Sequence, residues 1–173
     1  MSYFYAADQN NAVNSMQQEP NTGIIMNFAE LEFIKAEAAL RGWISGSTAD
    51  YFYSGAKQAI TLWLPQWSGS IEEHLAASDM EWDVQASLKQ QLAAINQQAY
   101  YALFLVDMQQ WFEHRRTGYP RLPKGEGLKN NGEMPARMAY PVYVQSSNPT
   151  YYKEAVARQG ADEISTKVWW QKP

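Results

Sequence analysis

The sequence predicts an all-α fold: a tetratricopeptide-like helix hairpin packed around a long central helix, followed by an irregular Pro/Gly-rich C-terminal segment. Three observations predict it. From Asn27 to Phe112 apolar residues recur at spacings of three and four, the helical period. Capping and breaking residues divide that pattern into segments. After Pro120 prolines and glycines crowd too closely for another long helix.

Residues 1–23 are polar, rich in Asn and Gln, and without periodicity, and are read as an irregular segment. Asn27 to Leu40 is predicted as a helix. Asn27 and Glu30 have capping-box spacing, Phe28, Leu31, Ile34 and Ala38 form a stripe, and Gly42 stops it. Gly46, Ser47 and Thr48 form a turn with a candidate N-cap for a second helix over about 49–64, carrying Phe52, Gly55, Ala56, Ile60 and Trp63 and ended by Pro65. The two form a hairpin of the size of a tetratricopeptide unit. Pro65 to Asp83 reads as a loop with a short helix over 71–77.

The central helix is predicted over 84–117. No Pro or Gly interrupts it, and from Tyr100 to Phe112 apolar bulk lies on nearly every face, the mark of a buried helix. Phe104 is the expected core ring, with Trp111 beside it. Arg115 and Arg116 suit the negative end of the helix dipole, and Gly118 and Pro120 terminate it. Beyond, short extended pieces are expected around 138–144 and a short helix over 151–159, ended by Gly160. At least one of Trp169 and Trp170 is expected to fold back over the core.

The chain has 173 residues, a net charge of −4 and no cysteine. That charge argues against nucleic-acid binding, which needs clustered Lys and Arg. The absence of Cys excludes disulfides and thiol chemistry within the sequence. The longest apolar runs fall well short of the roughly 18–20 residues a membrane span needs, and no signal peptide is recognisable.

Catalytic patterns are missing. His74 and His114 are far apart and neither has metal-ligand spacing, and there is no nucleophile elbow, P-loop or dinucleotide fingerprint. No cofactor or metal is expected. Glycosidases need two facing carboxylates, but Glu30/Glu32 and Glu72/Glu73 point to different sides of their helices. Glu37, inside an apolar helix, is read as a buried partner for Arg115 or Arg116, specifying packing more than stabilising it. Binding remains. A sugar's axial C–H face lies flat on an aromatic ring, and Trp67 and Trp82 sit in a loop among Gln, Ser and Asp. They are the candidate ligand residues, with the alternative that they plug the core from its edge.

The stretch ALFLVDMQQWFEHRRTGYPRL resembles the C-terminal region of SusD/RagB-type nutrient-binding lipoproteins. The matching residues are Ala102, Leu103, Phe104, Trp111, Glu113 and Arg115 through Pro120, and Asp107, Gln109 and His114 depart from the pattern. NFAELEFIKAEAALRGW, YFYSGAKQAI, MPARMAYPVYVQSSNPTYY and STKVWW also resemble family segments, in the family's order.

The resemblance implies a helical, non-catalytic subunit on the cell outer membrane, exposed at the surface. It implies capture of an oligosaccharide or peptide and delivery to a SusC-like TonB-dependent transporter. Family members carry a lipid-attached Cys, which this sequence lacks, and membrane contact is expected only through that anchor. The chain is therefore read as a C-terminal portion: 1–23 the remnant of an upstream part, and 24–173 the helical region. The family's ligand site is expected mostly upstream. The rival readings are a glycan-active enzyme fragment and a helical-repeat scaffold without a ligand of its own.

Overall fold

The computed structural model describes residues 23–128 and 132–171. The irregular segment expected over 1–23 lies outside the described residues, except for Gly23. The protein is mainly helical, as expected. Its contacts gather into two compact units, Met1–Gln110 and Trp111–Pro173.

In the first unit, α1 (Phe28–Leu40) and α2 (Thr48–Trp63) form the hairpin, α4 (Leu88–Ala102) packs on both, and the short α3 (Ile71–Ala76) packs on α2. Local chemistry sets these boundaries. The Asn27 side chain accepts from the Glu30 N–H at 2.7 Å. Its amide also donates to the Ala102 carbonyl at 2.9 Å, so one residue caps the start of α1 and the end of α4. Gly42, at φ 72°, ends α1, with the Gly42 and Trp43 N–H groups donating to Ala39 and Ala38 in a Schellman arrangement. Ser47, Ser70 and Ser87 cap α2, α3 and α4.

The core is an apolar cluster centred on Phe52. Phe33, Ala36, Ala56, Ile71, Leu75, Ile95 and Ala102 are buried around it. Phe33 and Tyr53 meet Phe52 edge-on, at 6.2 and 5.5 Å between centroids.

The long central helix is corrected. α4 starts at Leu88 rather than at 84 and ends at Ala102, and α5 (Gln109–Thr117) begins after a turn. Successive i to i−3 bonds carry the chain through that turn, with Leu105 at φ 61° and Asp107 at φ 38°. Asp tolerates this left-handed region; Leu does so at a cost of about 1–2 kcal/mol. The return is that Leu103 and Val106 become fully buried, each worth about 1.5–3 kcal/mol. Phe104 consequently points outward and is 44% exposed, not the buried core ring the sequence suggested.

In the second unit Gly118, at φ 74°, closes α5 as predicted. Where short extended pieces are expected around 138–144, residues 142–144 instead open the helix α6 (Val142–Ser147), and α7 (Pro149–Gln159) follows with Pro149 in its first turn. Gly160 ends α7.

Candidate functional site

The two tryptophans nominated as ligand residues are both half-buried against the core of the first unit. The Trp82 ring leans on Phe52 at 5.2 Å, and its backbone N–H donates to the Tyr53 hydroxyl at 3.1 Å. Trp67 meets His74 edge-on at 5.9 Å and lies so close to Gly69 that a Cβ there would come within 2.9 Å of the ring. Both close the core from its edge. What ring surface they keep for a ligand is limited, and such a role for them is a proposal.

The more open aromatic surface lies elsewhere. Two adjoining hollows, of about 350 and 460 Å³, share Trp63 of α2 and Tyr101 of α4 as a common wall. The first runs over Ala59, Ile60 and Leu75 to His74 and Gln98. The second is completed by Tyr100, Phe104 and Gln110. Trp63 and Phe104 meet edge-on at 6.2 Å, as do Tyr100 and Tyr101 at 6.0 Å. The amides are held in place: Gln110 donates to the Tyr100 carbonyl at 2.7 Å, Gln97 to the Tyr101 hydroxyl at 3.2 Å, and Gln98 to the Met80 sulfur at 3.3 Å. Among the described residues no Asp, Glu, Lys or Arg lines either hollow. Sequence reasoning placed Trp63 on the helical stripe and Tyr101 and Phe104 in the core. The structure leaves Tyr101 50% and Phe104 44% exposed.

Glu32, Glu37 and Glu72 are each engaged by a side chain of their own helix or its cap. Glu32 is held by Lys35 at 2.6 Å, and Glu72 accepts from the Ser70 hydroxyl at 3.0 Å. Glu37 is buried, and Arg41 binds it from one turn on at 2.8 Å. Its pairing with Arg115 or Arg116 is a proposal. A double-mutant cycle tests it, and coupling within error of zero for both pairs would remove it. Among the described residues no group of three or more His, Cys, Asp or Glu is placed to hold a metal ion.

In the second unit Arg116 pairs with Glu113 at 2.7 Å. The Arg115 guanidinium lies 4.4 Å from the Trp111 ring centroid and 4.6 Å from that of Trp170, and the Trp111 indole donates to the Pro135 carbonyl at 2.8 Å. Trp170 thus folds back onto α5 while Trp169 stays 78% exposed. The unit's centre is an ion pair that sequence reasoning missed. Arg137 meets Asp162 at 3.0 Å, each side chain 8% exposed. Asp162 also accepts from the Tyr140 N–H at 3.0 Å and the Tyr152 hydroxyl at 3.2 Å. Burial first, then the hydrogen bond to Asp162 and its charge, raise the Tyr152 pKa above its ordinary value. Arg137 belongs to the quoted family segment, but nothing near Asp162 marks it in the sequence.

Residues 2–141 match the SusD-like family described as "Starch-binding associating with outer membrane". The chain belongs to the SusD-like family. Solved structures agree. A SusD-like protein from Bacteroidetes AC2a is 31% identical, with 87% of this chain and 31% of that one covered at a TM-score of 0.71. A SusD homologue from Bacteroides fragilis is 25% identical over 87% of this chain and 36% of its own, at 0.70. A protein described as chitin-binding is 29% identical over 84% of this chain and 33% of its own, at 0.69. The chain therefore spans about a third of each relative's length. Among curated protein sequences none matches.

Proposed function

We propose that this SusD-like chain contributes part of a non-catalytic, surface-exposed outer-membrane protein that captures oligosaccharides and passes them to a TonB-dependent transporter. The observation that carries the reading is the family match over 2–141, whose description specifies starch binding at the outer membrane. The chitin-binding relative at 29% identity supports a carbohydrate rather than a peptide. The half-exposed Tyr101 ring beside the uncharged Gln110 is also the kind of surface a neutral sugar uses.

Because the chain spans about a third of its relatives, the isolated chain should hold oligosaccharides only weakly. Its dissociation constants should be about 1 mM or weaker, some −4 kcal/mol. Isothermal titration against starch, mannan and mucin oligosaccharides and peptide digests checks this. Micromolar binding would place a complete site within these residues, and Trp67 and Trp82 would join Trp63 as the first to replace. Co-purification with a TonB-dependent transporter from the same outer membrane tests the partnership, and failure to co-purify from detergent extracts containing both would sink it. Hydrolysis of any of these glycans would overturn the non-catalytic reading.

A further inference from the structure

We propose that Arg115, flanked by Trp111 and Trp170 in the second unit, is a docking point for an Asp or Glu side chain of a protein partner. The inference goes beyond the oligosaccharide reading and does not rest on it.

The uncompensated charge comes first. Arg41, Arg116 and Arg137 each meet a carboxylate, at 2.8, 2.7 and 3.0 Å. Arg115 is half-buried and meets none among the described residues. The acid of its own helix, Glu113, is engaged by Arg116, and residues two apart on a helix do not face each other. A charge drawn partly out of water without a counter-charge is stabilised by a carboxylate that reaches it.

The geometry comes second. The guanidinium carbon lies over both indoles, 4.4 Å from the Trp111 centroid and 4.6 Å from that of Trp170. Rings stacked on a guanidinium cover its faces, whereas its N–H donors point outward in its own plane. The Nε donor is buried and has no hydrogen-bond partner, so that edge is closed to a visitor. The two Nη atoms make no hydrogen bond among the described residues and are not buried. They are the end of the fork that takes a carboxylate with two parallel bonds. The rings on either side are already ordered. The Trp111 indole donates to the Pro135 carbonyl at 2.8 Å, and the Val168 N–H donates to the Gln171 side chain at 3.2 Å across the turn that carries Trp170. Docking therefore orders little that folding has not ordered.

The surroundings come third. Phe112 leans on Trp111 at 5.4 Å and is 44% exposed, Trp170 is 50% exposed, and its neighbour in the chain, Trp169, is 78% exposed. Exposed tryptophans around an arginine are the composition of a protein–protein hot spot. Asp and Glu carry their carboxylate on a flexible stem that fits between two ring edges, whereas a uronate carries it directly on a pyranose ring. The apolar residues beside such an acid would cover the tryptophans. With a net charge of −4 the chain does not draw anions in general, so recognition falls to this one fork.

The test is a titration of the isotope-labelled chain followed by nuclear magnetic resonance at the Arg115 Nε–H and Trp170 indole signals, identified by their loss in Arg115→Lys and Trp170→Phe. The probe is an acetylated and amidated Gly-Phe-Glu-Phe-Gly peptide, whose only charge is the Glu carboxylate. The same peptide with Gln in place of Glu, and digalacturonate, are the contrasts. The expected result is a saturable shift of both signals with the Glu peptide and binding at least about tenfold weaker with the Gln peptide. Arg115→Lys keeps the charge without the fork and should weaken binding, read at Trp170, by about tenfold. Arg116→Lys should leave it unchanged. The Tyr140 amide, which Asp162 holds, reports whether each variant keeps its fold. If Arg115→Lys disturbs that amide, the Glu-against-Gln contrast on the parent chain decides alone. Equal response to the two peptides, binding that a folded Arg115→Lys leaves unaltered, or no response at all overturns the proposal. A shift with digalacturonate alone overturns the protein partner. Coupling of Arg115 to Glu37 in the double-mutant cycle would put the counter-charge inside the chain and overturn it too. The oligosaccharide reading stands or falls separately, on the glycan titrations.

Discussion

The two units of this SusD-like chain are held together by opposite means. The first buries Phe33, Phe52, Ile71, Leu75 and Ile95 in one apolar cluster. In the second, the buried residues among those described are Ala136 and Arg137, and the centre is the Arg137–Asp162 ion pair with two tyrosines around it. An apolar cluster stabilises in proportion to the area it removes from water. A buried ion pair gains little net stability, because desolvating both charges offsets their attraction, yet losing one partner leaves the other stranded. The first unit should therefore respond to lost volume, and the second to lost charge.

The largest expected effect lies in the first unit. Phe52 is fully buried, so Phe52→Ala should cost about 3–5 kcal/mol in a denaturant titration followed by tryptophan fluorescence. Phe104→Ala, at a ring 44% exposed, should cost about 1 kcal/mol or less. Equal losses at the two would mean that the turn at 103–108 does not separate core from surface. The second unit should respond to Asp162→Ala with a loss of about 3 kcal/mol, read as faster hydrogen exchange at the Tyr140 amide, which the Asp162 carboxylate holds. Replacing both partners, as Arg137→Met with Asp162→Leu, should recover much of it. Failure of the double replacement to recover anything would show that the pair is more than a packing device.

The same contrast decides what could be read from the sequence. α1 and α2 were legible because their signals are local: Asn27 as a cap, the turn at 46–48 with its candidate cap, Gly42 as a stop, Pro65 as a breaker. The family was legible because several ordered blocks cover most of the chain. The turn at 103–108 was not, because no residue there forbids a helix. It follows from which side chains the rest of the fold can bury, Leu103 and Val106 but not Phe104. Trp67 and Trp82 were picked by loop composition, which cannot tell an open ring from one leaning on Phe52 or His74. Asp162 sits in a polar tail with no pattern, so only the fold reveals that Arg137 needs it.

A smaller effect tests how tightly the first core is closed. Gly55 lies in the middle of α2, where Ala would ordinarily gain about 1 kcal/mol in helix propensity. A Cβ there would meet the Phe33 ring at 2.9–3.0 Å. That ring is 3% exposed and braced edge-on by Phe52, so it has little room to yield. Overpacking of this kind costs about 1–3 kcal/mol. Gly55→Ala should therefore be net destabilising by about 1 kcal/mol. A gain in stability would show a looser core than these contacts describe.

The smallest effect belongs to the second unit and appears only in alkali. Tyr152 donates its hydroxyl to Asp162, and burial, that hydrogen bond and the carboxylate's charge raise its pKa above the ordinary 10.0, against a lowering pull from Arg137. The folded state thus holds the phenol proton more tightly than the unfolded chain does. Its contribution to stability is complete below the unfolded pKa near 10.0 and is lost as pH rises through the higher folded value. Ionisation would set a phenolate beside the Asp162 carboxylate with Arg137 as the shared counter-charge. Thermal unfolding followed by circular dichroism between about pH 8 and 11 should show Tm falling more steeply above the unfolded pKa in the parent protein than in Tyr152→Phe. The other tyrosines and the lysines titrate in both proteins, so the difference between the two curves isolates Tyr152. Parallel curves would mean that Tyr152 and Asp162 are not coupled, and that the second unit's charged centre is the Arg137–Asp162 pair alone.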